Sequence, residues 1–252
     1  MRTARDRRDD QPAFVLHAHP YRETSLIIEA LTADYGRVAL VARGAKRPRS
    51  ELRGVLQAFQ PLTLSWSGGG EIKTLTRAEW RGGLPLVTGS ALLCGFYLNE
   101  LLLKMLPRED AHPQLFRDYQ STLSKLAGGA EQAPALRQFE IQLLAQLGYA
   151  LPLTHDVDSG LPVQPGARYY YAFDRGPRTV VSEPGRRYPL VRGTTLLALA
   201  RQDFSAPDAA VEAKRLMREV LDHYLERRSI FSRRVVRDLQ ALDEITDEDN
   251  YS

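Results

Sequence analysis

The fold class follows from residues 21–62, which read YRETSLIIEALTADYGRVALVARGAKRPRSELRGVLQAFQPL. This segment holds two runs of β-type sequence. Residues 24–31 are rich in leucine and isoleucine, and residues 37–42 alternate between two faces at a period of two. Asp34, Tyr35 and Gly36 lie between the runs and supply turn chemistry. Runs of this kind, bounded by turn residues, predict two neighbouring strands of an antiparallel sheet.

Three further strands are predicted on either side of this pair. One covers residues 14–18, and two follow at residues 56–66 and 71–80, joined by the flexible connection Ser67-Gly68-Gly69-Gly70. Five short strands at regular spacing, bounded by Gly, Pro and Asp, are typical of a small closed barrel or sandwich. The count and length fit an OB-fold, and an SH3-like barrel fits nearly as well on pattern alone.

A cationic loop is predicted between the third and fourth strands. Residues 43–53 hold five basic side chains and one acidic side chain. Gly44 and Pro48 disfavour a regular helix or central strand there. A basic loop beside a half-exposed sheet is suited to a polyanionic backbone, because each neutralised phosphate releases counterions. Solvated surface is the alternative. Aromatic residues near the sheet (Tyr35, Phe59 and Trp66) are interpreted as core first and as base-stacking faces second.

Charge and composition narrow the class of protein. The chain of 252 residues has a net charge of +3, but residues 1–83 carry a net +5 and the remainder a net −2. The longest apolar run, residues 91–106, is shorter than the ~20 apolar residues that cross a bilayer, so no membrane partner is expected. A single cysteine, Cys94, excludes an internal disulfide, and no secretory signal is recognised. The expected location is the cytoplasm.

The C-terminal part of the chain is predicted to be mostly helical. The expected organisation is a flexible N-terminus at 1–11, a barrel domain at 12–83, a helical domain at 84–245 and an acidic tail at 246–252. Residues 152–192, rich in proline and glycine, form a predicted insertion with two short β-like pieces. The fold class is therefore α+β.

No motif of catalysis is present. The chain has no P-loop and no G-x-S-x-G pattern. His17 and His19 share a strand face without an evident third ligand, and Cys94 lies in an apolar helix. We therefore predict no catalytic residue, no cofactor and no bound metal, although a hydrolase with an unrecognised site stays a remote alternative.

The order of several short motifs resembles the RecO family of DNA repair proteins over nearly the whole chain. The matches include Gly36 with the strand after it, the run Gly44–Ser50, Leu106-Pro107 with His112-Pro113, and Leu136–Glu140 through Leu147-Gly148-Tyr149. The resemblance implies an N-terminal OB-fold, a helical C-terminal domain and the role of a recombination mediator. Members of the family bind single- and double-stranded DNA, anneal complementary strands and join RecR. With RecR they help to load RecA onto single strands covered by single-stranded DNA-binding protein, which places the expected location at the nucleoid.

Three sets of site residues are predicted from the residues and the resemblance together. The DNA-binding candidates are Arg22, Arg37, Arg43, Lys46, Arg47, Arg49 and Arg53. A possible second DNA patch comprises Arg227, Arg228, Arg233, Arg234 and Arg237, with a solvated helix end as the alternative. A pocket for the acidic C-terminal tail of single-stranded DNA-binding protein is predicted at Tyr97, Leu101, Phe116 and Arg137, with plain core packing as the alternative.

The insertion departs from the pattern of the family. Many relatives hold a zinc-finger-like element there, with an early and a later Cys-x-x-Cys pair. Here His155-Asp156-Val157-Asp158 stands in place of the first pair, and later cysteines are missing. Two candidate ligands do not make a structural zinc site, so a Cys-less insertion held by its own packing is predicted. From another class of function, an OB-fold RNA-binding protein is the main alternative.

Overall fold

A computed structural model describes residues 7–180, 188–225 and 229–235. The chain forms two compact units. The first comprises residues 1–130 together with residues 230–252, and the second comprises residues 131–229. Among the residues described, no helix is long and apolar enough to cross a membrane.

Five strands of the first unit form a closed barrel. They are β1 (Arg7–Tyr21), β2 (Ser25–Thr32), β3 (Gly36–Ala42), β4 (Leu62–Ser67) and β5 (Ile72–Trp80). The strand order is β1-β2-β3-β5-β4, and closure pairs β4 with β1. All pairings are antiparallel except the one between β3 and β5, which run in the same direction. The predicted OB-like barrel and α+β class are confirmed.

Alternating apolar side chains fill the barrel. Ile28 and Ala30 of β2 and Val38 and Leu40 of β3 are almost completely buried, as the period of two predicts. Trp66 of β4 completes this core. Burying each large apolar side chain contributes ~1.5–3 kcal/mol, which stabilises a domain this small.

Two strand limits differ from those predicted. Residues 7–11, expected to be flexible, belong to β1 and pair with β4 across an irregularity between Arg8 and Gln11. Asp10 lies at this irregularity with a φ of 51°. The fourth strand begins at Leu62 rather than near Leu56, because a short helix α1 (Leu52–Val55) and a turn come before it.

Two helices of the first unit cover the outer face of β1. They are α2 (Gly89–Met105) and α3 (Pro113–Ala127). The Asn99 Nδ2 of α2 donates a hydrogen bond of 2.8 Å to the Leu16 carbonyl oxygen. Tyr119 of α3 donates its hydroxyl to Asn99 Oδ1, and its ring packs edge-on against Phe14. This buried polar link fixes the helices against the barrel.

The second unit combines helices with a small sheet. Its elements are α4 (Gln132–Gln146), β6 (Arg168–Ala172), β7 (Gly176–Thr179), β8 (Leu190–Arg192), α5 (Gly193–Arg201) and α6 (Pro207–Tyr224). The sheet has the order β7-β6-β8 and lies within the predicted insertion. Helix α6 packs against both α4 and α5.

Candidate nucleic-acid interface

Six cationic side chains lie exposed on two loops of the barrel, and we call them the basic rim. Five belong to the loop that leaves β3, and the sixth belongs to the turn between β1 and β2. The Lys46 N–H donates to the Thr24 carbonyl oxygen at 2.9 Å, so the two loops lie side by side. The basic rim consists of Arg22, Arg43, Lys46, Arg47, Arg49 and Arg53.

The loop of the basic rim is anchored although its charged side chains are exposed. Ala45 is 1% exposed and packs into the barrel core. Gly44 has a φ of 71°, a backbone conformation that glycine adopts without strain. The Arg47 N–H donates to the Gly44 carbonyl oxygen at 3.0 Å, which closes a tight turn. The side chains of the loop are therefore presented by a structured backbone.

The charges of the basic rim are not neutralised by nearby acids. Within residues 7–180, 188–225 and 229–235, none of the six side chains forms an ion pair or donates a hydrogen bond. The Arg22 guanidinium lies 5.1 Å from the centre of the Tyr21 ring. Many other arginines of the chain are paired with carboxylates, as Arg77 is with Glu79 and Arg178 with Asp158. The rim therefore concentrates available positive charge.

Arg37, a candidate for DNA contact, has a different environment. Its Nη1 pairs with Glu29 Oε2 at 2.9 Å, and its Nε donates to the Leu106 carbonyl oxygen at 2.9 Å. Arg108 pairs with the other oxygen of the same buried Glu29 carboxylate. The Arg37 side chain is only 15% exposed. Its guanidinium joins the barrel to the segment after α2 instead of facing a ligand, so we leave Arg37 out of the proposed interface.

The possible second DNA patch is described only in part. Arg227, Arg228 and Arg237 lie outside the described residues. Arg233 and Arg234 fall in a helical turn at residues 231–235. The Arg233 guanidinium lies 5.5 Å from the centre of the Tyr97 ring and donates to the Tyr97 hydroxyl at 3.2 Å.

Glu100 holds the start of this helical turn against α2. Its carboxylate accepts hydrogen bonds from the backbone N–H groups of Phe231 and Ser232, from the Ser232 hydroxyl and from Lys104. Burial alone would raise the pKa of this carboxyl, but the hydrogen bonds from Lys104 and Ser232 outweigh it and lower the pKa. The sequence offered no signal for this contact, because its partners are separated by more than 130 positions.

The predicted pocket residues for an acidic tail fall in both units. Tyr97 and Leu101 lie one turn apart on α2, and Phe116 lies on α3, all buried within the first unit. Arg137 belongs to the second unit, where it pairs with the fully buried Glu140. The structure thus gives each of the four a packing role, and the pocket stays a prediction.

The aromatic residues divide between core and surface. Phe59 and Trp66 are 4% and 1% exposed, as the core interpretation predicts, and Tyr35 packs edge-on against Trp66. Trp80, which the sequence analysis placed only as the end of a strand, is 62% exposed. Trp66 and Trp80 each end a predicted strand, so the local sequence carries no signal that separates the exposed tryptophan from the buried one.

Asp156 ties the insertion together at the position of the missing cysteine pair. Its Oδ1 accepts from the N–H groups of Asp158 and Ser159 and from the Ser159 hydroxyl. Its Oδ2 accepts from the N–H and hydroxyl of Thr179 in β7. Burial alone would raise the pKa of this carboxyl, but these hydrogen bonds hold it far below its usual range. No cluster of three or more metal-ligating His, Cys, Asp or Glu side chains occurs among the described residues.

Comparison with known proteins agrees with this architecture of an OB-like barrel followed by a helical region. The family model described as Recombination protein O N terminal matches residues 8–84, and the one described as Recombination protein O C terminal matches residues 87–234. The chain belongs to the RecO family of DNA repair proteins.

Curated relatives match over nearly their full length. The DNA repair protein RecO of Aromatoleum aromaticum is 52% identical over 94% of this chain and 99% of the relative. The protein of the same name from Ralstonia nicotianae is 53% identical over 95% of this chain and 88% of the relative. That from Nitrosospira multiformis is 47% identical over 96% of this chain and the whole relative. A role in DNA repair follows for this chain from its family.

Proposed function

We propose that this chain is a non-enzymatic recombination mediator that binds single- and double-stranded DNA through the basic rim. The supporting observation is the concentration of exposed cations on two adjoining loops of an OB-like barrel, where none of them forms an ion pair with a described residue. In OB-folds, oligonucleotides bind across strands 2 and 3 and beside the loop that joins strands 1 and 2. Arg22 lies in that loop here. The rim has the chemistry to neutralise phosphates without reading base sequence.

Strand annealing follows from the same charges. Two complementary strands repel each other as polyanions, and a cationic surface lowers that cost while it leaves the bases accessible. The resemblance to RecO proteins adds RecR as a partner and the loading of RecA onto single strands. It also adds the acidic C-terminal tail of single-stranded DNA-binding protein as a second ligand. The chain would carry out this function in the cytoplasm, at the nucleoid.

A salt titration tests the basic rim directly. Changing Lys46, Arg47 and Arg49 together to glutamine removes three charges that form no hydrogen bonds or ion pairs in the described structure, so folding is preserved. We expect weaker binding to an oligo(dT) strand, and the slope of log affinity against log salt becomes about 2 units shallower. Fluorescence anisotropy at several salt concentrations measures both quantities.

A matched control variant carries the same loss of charge elsewhere. Arg117 on α3, Arg168 at the start of β6 and Arg201 at the end of α5 are exposed arginines outside the rim. Their joint change to glutamine should leave the salt slope nearly unchanged. If both triple variants reduce the salt slope by the same amount, the net charge of the protein and not the basic rim determines DNA binding, and the assignment is wrong. Competition with RNA of matching sequence separates DNA binding from the RNA-binding alternative.

A further inference from the structure

Trp80 is an exposed tryptophan held in a fixed orientation. Its indole Nε1–H donates to Gln60 Oε1 at 3.2 Å, and Gln60 itself is buried. Gly82, whose φ is 70°, lies beside the ring, and a Cβ placed on it would be 3.9 Å from the six-membered part of the ring, an ordinary van der Waals contact. Trp80 pairs in register with Leu62 of β4, and the Arg81 N–H donates to the Pro61 carbonyl oxygen. These contacts restrict the ring while 62% of the residue stays exposed.

The strand directions bring Trp80 to the end of the barrel that carries the basic rim. Strands β3 and β5 run parallel, so both finish at the same end. The loop of the basic rim leaves β3 there, and its helix α1 packs against β5. Arg81 follows Trp80 directly and is exposed, without an ion pair in the described structure. A flat apolar face and unpaired cations therefore share one end of the barrel.

We propose that Trp80 is a stacking platform for an unpaired base of single-stranded DNA whose phosphates lie on the basic rim. The proposal rests on the proposed function and adds to it a residue that distinguishes single strands from duplexes. Every base has a π-face, so an aromatic platform holds a strand without sequence preference. In a duplex the bases are stacked on each other and cannot reach the ring. Phosphate contacts alone would not separate the two forms of DNA.

Affinity measurements on full-length variants test the proposal. Trp80→Ala should weaken oligo(dT) binding about five- to 150-fold, the range for loss of one base–aromatic stack, and Trp80→Phe should retain part of it. Duplex affinity should stay within about twofold. Leu86→Ala is the control, since Leu86 is an apolar residue six positions further along the chain that is 71% exposed. It should change neither affinity. A strand of abasic sites, which offers phosphates alone, should bind wild type and Trp80→Ala equally.

Intrinsic fluorescence supplies an independent reading. The chain has two tryptophans, and Trp66 is buried in the barrel core. Oligo(dT) should quench the emission of the wild type, whereas Trp80→Phe, which keeps only Trp66, should show little quenching. Equal loss of single-strand and duplex affinity in Trp80→Ala, or an unchanged single-strand affinity, overturns the stacking proposal while the rim assignment stands. Failure of the wild type to bind either DNA overturns both.

Discussion

At the scale of single residues, arginines of the barrel have two different roles. Arg37 is inside the fold, where its planar guanidinium contacts a carboxylate and a carbonyl oxygen at once. Arg53 is exposed in the rim without an ion pair in the described part of the chain. Arg37 lies in β3 and Arg53 in α1, and the contacts of Arg37 with Glu29 and Leu106 distinguish the two. Their substitutions should therefore affect different properties.

Arg37→Ala is expected to reduce stability and to spare DNA binding. The change leaves the buried Glu29 with Arg108 as its remaining charged partner and leaves the Leu106 carbonyl without its donor. We expect the free energy of unfolding to fall by about 1–3 kcal/mol. Urea denaturation measures this loss, and anisotropy below the transition measures DNA affinity. Arg53→Ala is the control and should show the reverse: near-native stability and weaker binding. A native-like stability with weak binding in Arg37→Ala would return Arg37 to the interface.

At the scale of elements, a buried carboxylate connects two parts of the insertion through hydrogen bonds. Asp156 connects the turn at Asp158 and Ser159 to Thr179 of β7. A hydrogen bond to a charged acceptor makes a net contribution of ~1.5–3 kcal/mol to stability. Tyr169 and Tyr171 of β6 are both buried. The sheet therefore has a polar connection at one edge and aromatic packing within it.

Asp156→Asn should destabilise the second unit in a pH-dependent way. The folded pKa of Asp156 is lowered, so its contribution is fully present above the unfolded pKa of ~3.9 and is lost as the pH falls through the folded value. We expect a loss of about 2 kcal/mol at pH 7 that becomes smaller at pH 3. Denaturation at both pH values, followed by circular dichroism, measures the difference.

A neighbouring substitution provides the control for Asp156. Asp158→Asn removes an exposed carboxylate that pairs with Arg178, and exposed pairs contribute only ~0–1 kcal/mol. Equal stability of Asp156→Asn and wild type at pH 7 would show that the hydrogen bonds of Asp156 are unimportant for stability.

Stoichiometric zinc in chelator-washed protein would contradict the predicted metal-free insertion.

At the scale of the whole molecule, charge is divided unevenly along the chain. Residues 1–83 carry a net +5, and the remainder carries a net −2 and ends in an acidic tail. The excess of positive charge therefore lies in the part of the chain that carries the basic rim. This distribution of charge supports the proposed DNA interface on the barrel.

A strand-annealing assay tests the proposed activity of the full chain. Wild-type protein should speed the pairing of complementary oligonucleotides. The Lys46, Arg47 and Arg49 triple variant should be slower at each salt concentration, because it neutralises fewer of the phosphate charges by which the two strands repel each other. With strands covered by single-stranded DNA-binding protein, annealing should persist with the intact form and fail with a form lacking its acidic tail. A quenched-fluorophore assay follows the rate. Equal rates with both forms would argue against the predicted tail contact.

Local patterns in the sequence are sufficient to predict β2, β3 and the basic loop. A run rich in leucine and isoleucine predicts β2, alternation at a period of two predicts β3, and turn residues bound both strands. The density of cations around Gly44 and Pro48 predicts an exposed loop, because so many charges cannot be buried together. These inferences need no knowledge of distant residues, which is why the barrel class and the rim were accessible before any coordinates.

Tertiary structure alone decided which of the basic and aromatic side chains are exposed to a ligand. Arg37 is engaged because Glu29 and Leu106 converge on it, and Trp80 is exposed while Trp66 is buried because the barrel closes around one of them. The extension of β1 to Arg7 likewise depends on its pairing with β4. These differences come from contacts between residues that are far apart in the chain. The type of a side chain and its spacing from neighbouring residues do not predict such contacts.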